Sequence, residues 1–493
     1  MTFINDRRKN NSNTNLMKYG FFIWCLLWIG ILAAQTDYFR ALHDAHASYR
    51  DDRLTDRRFK HRDIVPIVQG LGSDFRVVQA GESVEGRAIY RVSIGTGPTQ
   101  VLLWSQMHGD EPTATAAVCD IFRFLQARND GFDALREQLL SKLTLTFIPM
   151  LNPDGAERFM RRNSLGIDLN RDALRLTTPE ARLLKAIRDE LEADWGFNLH
   201  DQSVYYGAGY PTDNMATLAF LAPAYNFAKS VNSKRERAML LIGQLNQQLQ
   251  TVIPGKVARY SDAFEPRAFG DNMQLWGTST ILIESGGYPG DREKQYIRQL
   301  NFATLLSAFH SIANQHYQRY SRQDYSAIPY NQGGLYHDLL LRNLSYRREG
   351  QDYTLDLAFR LSEREVSKPP MLTYRASISD LGDLSYHRGY EELDGTGLRV
   401  SVAQVYPHTF PDLEALQAQD PYRLLADGYA VVKVAKLDSR QWVAKAALPL
   451  LLISPQERVS HRIMPGNNPA LLLRDASNKV HYAITNGRLI PVD

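Results

Sequence analysis

Between Phe75 and about Ser311, short apolar runs alternate with longer stretches whose apolar residues recur at helical spacing. The runs 88–94, 101–107, 143–150, 195–199 and 280–283 have strand length. The stretches 112–127, 178–192, 234–252 and 292–316 have helix length. This alternation predicts an α/β domain: a mixed, largely parallel central sheet with helices on both faces. In such sheets, functional groups gather just beyond the carboxyl ends of strands. His108, Asn152, His200 and Glu284 all fall at such ends, which points to one shared site.

The texture changes on either side of this region. Residues 319–334 are polar, aromatic and glycine-ended, the composition of a linker. Residues 335–493 carry short alternating runs (353–361, 398–406, 429–437 and 480–490), punctuated by Pro369-Pro370 and Asn486-Gly487. They predict a β-rich C-terminal domain. The α/β domain is therefore expected over residues 63–318. At the other end, Arg7, Arg8, Lys9 and Lys18 precede an apolar run that closes on Ala33-Ala34. That is the layout of a secretory signal, expected to occupy residues 1–35 and to be removed on export to the periplasm or beyond. The other reading is an uncleaved membrane anchor, but the run falls short of the ~20 residues that span a bilayer. Residues 36–62 are dense in charge of both signs and predict a solvated helical arm packing on the next domain, with His43, His46 and His61 as surface residues.

Composition adds limits rather than direction. The 493 residues are 44% hydrophobic and 23% charged, ordinary for a chain with a sizeable core. The net charge of +3 is all contributed by residues 1–34, so the remainder is near neutral. Nothing global argues for nucleic acid or an anionic surface as a partner. No stable membrane partner is expected beyond the signal segment. Of the two cysteines, Cys25 lies in the apolar run and Cys119 in a predicted helix, so neither an internal disulfide nor a thiolate metal site is expected.

The chemistry starts at Gln106-Met107-His108-Gly109-Asp110-Glu111-Pro112, where a strand hands over to a helix. His108 and Glu111 are both zinc-ligand types, and a catalytic zinc needs three protein ligands and one open position. His200, ending the run Phe197-Asn198-Leu199, is the natural third. Asn152-Pro153-Asp154-Gly155 taken alone is a turn. Glu284, in Ile283-Glu284-Ser285-Gly286-Gly287, puts a carboxylate at the end of an apolar strand, costly unless it has a task.

In order, the chain reads G-x-S-x-x-G-R (from Gly81), H-x-x-E (from His108), N-P-D-G (from Asn152), R-x-N-x-x-G-x-D-x-N-R (from Arg161), a strand-end histidine and I-E-S-G-G. This series resembles the zinc carboxypeptidase family, the carboxypeptidase A/B-like metallocarboxypeptidases, over roughly residues 60–315 in a bacterial-type exported form. The resemblance implies one Zn²⁺ per chain held by His108, Glu111 and His200. It implies Glu284 as general base and Arg161 as the residue that steadies the oxyanion, with the adjacent Arg162 as the other candidate. It implies Asn170 and Arg171 as the pair that binds the substrate's terminal carboxylate. The implied activity is hydrolysis of C-terminal peptide bonds. A zinc amidase of the same fold acting on muropeptides or acylated amino acids, and an inactive peptide- or glycan-binding relative, are the alternatives. Asp168, Asp172 and Asp201 read as caps or partners of ligands, and Asp201 or Gln202 could orient His200. Tyr260 is the nearest candidate by position for the family's mobile tyrosine, without a motif to fix it. Asp110 stands where some digestive members carry arginine.

Overall fold

The computed structural model describes residues 39–366, 371–437 and 448–492. They form two compact units: residues 39–210 with 214–332, and residues 211–213 with 333–492. The signal-like run and Pro369-Pro370 lie outside the described residues.

The first unit is built on strands β1 (Arg76–Glu82), β2 (Ala88–Ile94), β3 (Thr99–Ser105), β4 (Leu143–Ile148) and β5 (Trp195–Asp201). A two-residue strand β6 (Gly207–Ala208) follows, then β7 (Leu218–Leu221), β8 (Val257–Arg259) and β9 (Ser279–Ser285). All but β6 join one sheet in the order β1-β2-β4-β3-β5-β9-β7-β8. The central four, β4, β3, β5 and β9, are parallel, while β2 and β7 pair antiparallel at either side. The helices are α1 (39–45), α2 (His61–Gln69), α3 (Thr113–Gln126), α4 (Asp133–Lys142), α5 (Pro153–Arg158), α6 (Pro179–Leu191), α7 (Ser233–Leu249), α8 (Phe269–Leu275), α9 (Gln295–Asn314) and α10 (Arg322–Ser326).

The central strands are apolar at nearly every position because both sheet faces are covered. On one face Val101, Leu103, Phe197, Leu199, Ile281 and Ile283 pack with residues of α3, α7 and α9. On the other, Leu102, Trp104 and Ile148 pack with α6 through Leu184 and Ile187, and with α8 through Phe269 and Met273. The predicted strands and helices of this unit all occur. Strand β1, the short β7 and β8, and the helices α4, α5 and α8 are additional.

Two expectations are corrected. Residues 39–60 do pack on the domain, but as part of its core rather than as a solvated arm: Phe39, Leu42, Tyr49, Leu54 and Phe59 belong to the main core. His43 and His46 are buried, not surface residues, and His61 is half-buried with Nε2 2.8 Å from Ala88 O. The cause is a buried carboxylate on α3. Asp120 accepts from His46 Nε2 at 2.8 Å, Asp51 N at 2.8 Å and Arg298 Nε at 2.7 Å. Arg298, on α9, also donates to the carbonyls of Leu54 and Asp51. A buried ion pair is tolerated when further hydrogen bonds satisfy it, and here the N-terminal segment provides them. Second, the stretch read as a linker is ordered within the first unit as far as Gln332. Ser321 caps α10, Tyr325 and Ile328 are buried, and strand β10 (Asn331–Gln332) pairs with β6.

The second unit is β-rich but not purely antiparallel. Long strands Tyr336–Arg348, Gln351–Val366 and Met371–Gly382 run antiparallel in an eight-stranded sheet. Asn486 and Gly487, both at positive φ, join Val480–Thr485 to Arg488–Pro491 by the two-residue turn their sequence announced. A smaller sheet, Gln404–Phe410 with Tyr429–Val434 and Leu451–Ile453, is parallel. Its first two strands are connected by short helices Leu413–Gln417 and Pro421–Ala426, as a parallel pairing requires.

Candidate metal centre

The loop after β3 turns sharply at Gln106, whose φ of 50° lies in the left-handed region. Its Nε2 donates to Gly109 O at 3.0 Å, holding the loop closed around His108. Gly109 is required by contact: a Cβ there would lie 2.0 Å from the backbone of Gly155. That backbone belongs to α5, started by Asn152, whose Oδ1 accepts from Gly155 N at 2.9 Å. Asn152 Nδ2 donates to Met107 O at 3.2 Å and Arg161 O at 3.4 Å. Asn-Pro-Asp-Gly is thus the brace that joins the His108 loop to the Arg161 loop.

Glu111 sits between two imidazoles. Its Oε1 lies 2.8 Å from His108 Nδ1 and its Oε2 2.7 Å from His200 Nδ1, while the two Nδ1 atoms are 3.1 Å apart. Among the described residues these three are the group whose ligand atoms converge, all within 4.8 Å of one another. Two imidazole nitrogens and a carboxylate, all buried, are the donor set of a catalytic zinc that keeps an open position. His108 Nε2–H donates to Asp168 Oδ1 at 3.0 Å, which fixes the tautomer that leaves Nδ1 to a metal. The chain's own residues therefore fit the ion. Asp201 and Gln202 do not orient His200 by side-chain bonds; Asp201 binds Thr113 and Lys294, and Gln202 donates to Ala216 O.

Burial is the largest influence on His200 and lowers its pKa, keeping the ring neutral as a metal ligand must be. For His108 burial acts in the same sense, but the carboxylates of Glu111 and Asp168 outweigh it and the net direction is upward. Glu284, on β9, faces His200 across the β5–β9 register. Burial, then the charges of Glu111 and Asp201, hold its carboxyl well above the ordinary range.

Arg161, not Arg162, reaches this cluster. Its Nη1 is 3.1 Å from both Glu111 Oε1 and His108 Nδ1, and its Nε and Nη2 bind Asp168 Oδ2 at 3.1 and 3.0 Å. Arg162 instead donates to Gly166 O. Asp168 also caps the 3₁₀ turn Leu169–Arg171 by accepting from Asn170 N. Asn170 Oδ1 accepts from Phe269 N, tying this turn to α8. Arg171 Nη1 donates to Asn170 O at 2.7 Å, and its Nε lies 3.5 Å from Glu265. Tyr260 is close enough to feel Glu284: burial first, then that charge and Tyr206, push its phenol upward. Asp110 has a buried Oδ1 without a partner among the described residues, and burial followed by Glu111 raises its carboxyl. Lys294 and Thr113 were not legible as part of this neighbourhood; their spacing carries no signal.

Residues 69–195 match the sequence model of the family described as zinc carboxypeptidase. That stretch holds His108, Glu111, Arg161, Asn170 and Arg171 and ends before His200 and Glu284. The chain is 24% identical over 188 residues to carboxypeptidase SOL1 of Arabidopsis thaliana, covering 34% of this chain and 38% of that protein. It is 31% identical over 116 residues to carboxypeptidase E of Caenorhabditis elegans, covering 19% and 24%. The chain thus spans well under half the length of these curated relatives. Among solved structures, a metallo-carboxypeptidase from Burkholderia cenocepacia is similar with a TM-score of 0.42 at 17% identity, over 52% of this chain and 70% of that one. A metallo-carboxypeptidase from Pseudomonas aeruginosa, in complex with (2-guanidinoethylmercapto)succinic acid, gives 0.40 at 18% identity, over 52% and 68%. The match to the zinc carboxypeptidase family thus spans residues 69–195, with the motifs from His108 to Arg171 inside it.

Proposed function

We propose that this protein is an exported zinc metallocarboxypeptidase that removes C-terminal residues from peptides. The observation that carries the reading is the convergence of His108, Glu111 and His200 on one point, with Glu284 in register beside His200. Zinc held by those three would supply an acidified water and polarise the scissile carbonyl.

The remaining work falls to side chains. Glu284 takes the proton of the attacking water and returns it to the leaving amine. Its raised affinity for a proton makes it a better acceptor once ionised. Arg161, clamped by Asp168 through Nε and Nη2, keeps Nη1 directed at the cluster, where it opposes negative charge developing on the carbonyl oxygen. Arg171 has a side chain 38% exposed and can grip a free carboxylate in the bidentate manner of a guanidinium. Asn170, its carbonyl oxygen engaged by Phe269 N, offers the amide nitrogen to the same carboxylate. Export is supported by the basic-then-apolar layout of residues 7–34. No helix among the described residues is long and apolar enough to cross a membrane.

The test is mass spectrometry of a defined peptide pool, each peptide supplied as free acid and as C-terminal amide. Stepwise loss from the free acids alone is the expected result. Equal trimming of the amides, or internal cleavage, would overturn the terminal-carboxylate role of Asn170 and Arg171. No cleavage by zinc-loaded protein would overturn the peptidase reading itself.

A further inference from the structure

Lys294 precedes α9 with φ of 52°, a left-handed conformation unusual for a residue with a side chain. That side chain is only 4% exposed. An ammonium so deeply buried is costly unless it is paired and fully hydrogen-bonded. Its Nζ meets two oxygens at the ends of neighbouring strands, Asp201 Oδ2 on β5 at 3.0 Å and Ser285 O on β9 at 2.8 Å.

The register gives this contact its meaning. β5 and β9 pair His200 with Glu284 and Asp201 with Ser285. Lys294 therefore holds the residue immediately after the candidate ligand and the residue immediately after the candidate base. Because successive side chains alternate between faces, it does so from the face opposite the metal donors. Asp201 extends the tie: its Oδ2 accepts from Thr113 Oγ1 at 2.6 Å, at the start of α3, and its N–H donates to Glu111 Oε2 at 3.2 Å. Ser285 O also accepts from Gln202 N at 3.0 Å, and Asn301 Nδ2 of α9 donates to Ser285 Oγ at 2.9 Å. One ammonium thus links α3, β5, β9 and α9 at the level of the site.

We propose that Lys294 is a positioning residue, a clasp behind the sheet that fixes the spacing of His200 and Glu284 and the orientation of Glu111. Its effect on rate rests on the hydrolytic reading above; its effect on the donor geometry does not.

The experiment compares wild type, Lys294→Met and Thr113→Val, each loaded with cobalt(II) in place of zinc and assayed far below its melting temperature. The expected result is one cobalt per chain throughout, with visible ligand-field bands displaced in both variants. For Lys294→Met, kcat falls by about 10- to 100-fold while KM stays within about twofold. Thr113→Val moves both readouts in the same direction by less. Bands and kcat matching wild type, with only the melting temperature lowered, would reduce Lys294 to a structural tie and overturn the proposal. Should Lys294→Met fail to fold, Thr113→Val decides by the same two readouts. Should wild type prove inert on peptides, the hydrolytic reading falls while the cobalt bands still decide the positioning role.

Discussion

Replacing Glu284 with glutamine should separate catalysis from stability in opposite directions. The amide has the shape of the carboxyl it replaces, and Glu284 is not among the converging donors, so zinc content should remain one per chain. Without a proton acceptor, kcat should fall by about 10²- to 10⁴-fold, the usual worth of a positioned acid–base group, or roughly 3–5 kcal/mol of barrier. The stability arm follows from the raised carboxyl, measured on protein stripped of metal so that an ion does not offset the charge. With the folded pKa above the unfolded value of about 4.3, the native chain binds more protons than the unfolded chain in the interval between them. Stability therefore declines as pH rises through that interval, and Glu284→Gln removes the decline. The two proteins should unfold alike near pH 4, and the variant should become the more stable as pH rises. Urea unfolding followed by tryptophan fluorescence reads this in the first unit, which holds Trp104, Trp195 and Trp276. A variant that keeps the wild-type rate refutes the base assignment. A variant less stable than wild type at pH 8 refutes the claim that the ionised carboxyl is an unfavourable guest.

Two further outcomes test the fold around the site. Asp120→Ala strands the buried Arg298 guanidinium and releases His46 and Asp51, so the first unit should lose about 3–5 kcal/mol. Hydrogen exchange should rise first in residues 39–54, and a loss under about 1 kcal/mol would show that the segment docks by apolar contact alone. Asp271 has its carboxyl pushed from 3.8 up to about 7 by burial, then by Glu265, while its Oδ1 accepts from Glu265 N. A group raised in the folded state costs stability as pH climbs from about 4 to 7, up to roughly 4 kcal/mol here. Asp271→Asn keeps the acceptor and should flatten that part of the pH–stability curve; an unchanged slope would refute the burial account.

What the sequence disclosed follows from how each signal is written. Strand ends carrying His108, His200 and Glu284 were legible because β3, β5 and β9 are apolar on both faces, so each run stops where its polar residue starts. The Arg161 loop was legible as a motif, but the choice between Arg161 and Arg162 was not, since it depends on Asp168 folding back onto His108. Asn152-Pro153-Asp154-Gly155 is a turn by its sequence, and its second task of bridging two loops depends on the approach of Gly109 to Gly155.

The surface expected for His43 and His46 fails for a physical reason that also hides Lys294 from a reading of the sequence. Residues 39–60 and Lys294 are charged or polar in sequence, and a charge pattern predicts solvent exposure because an unpaired buried charge is expensive. Burial becomes tolerable only when a partner far along the chain arrives: Asp120 receives His46 across 74 positions, and Asp201 receives Lys294 across 93. Such pairings leave no local periodicity. They also sit beside α3, which starts two residues after Glu111 and carries Asp120 at its middle. The helix that follows the metal loop is therefore tied to buried ions at its first turn, through Thr113 to Asp201 and Lys294, and at its middle, through Asp120 to Arg298. Asp201 N–H also donates to Glu111 Oε2, so this network runs from the buried ions to the metal donors, which gives charges that look dispensable in sequence a physical reason to be buried.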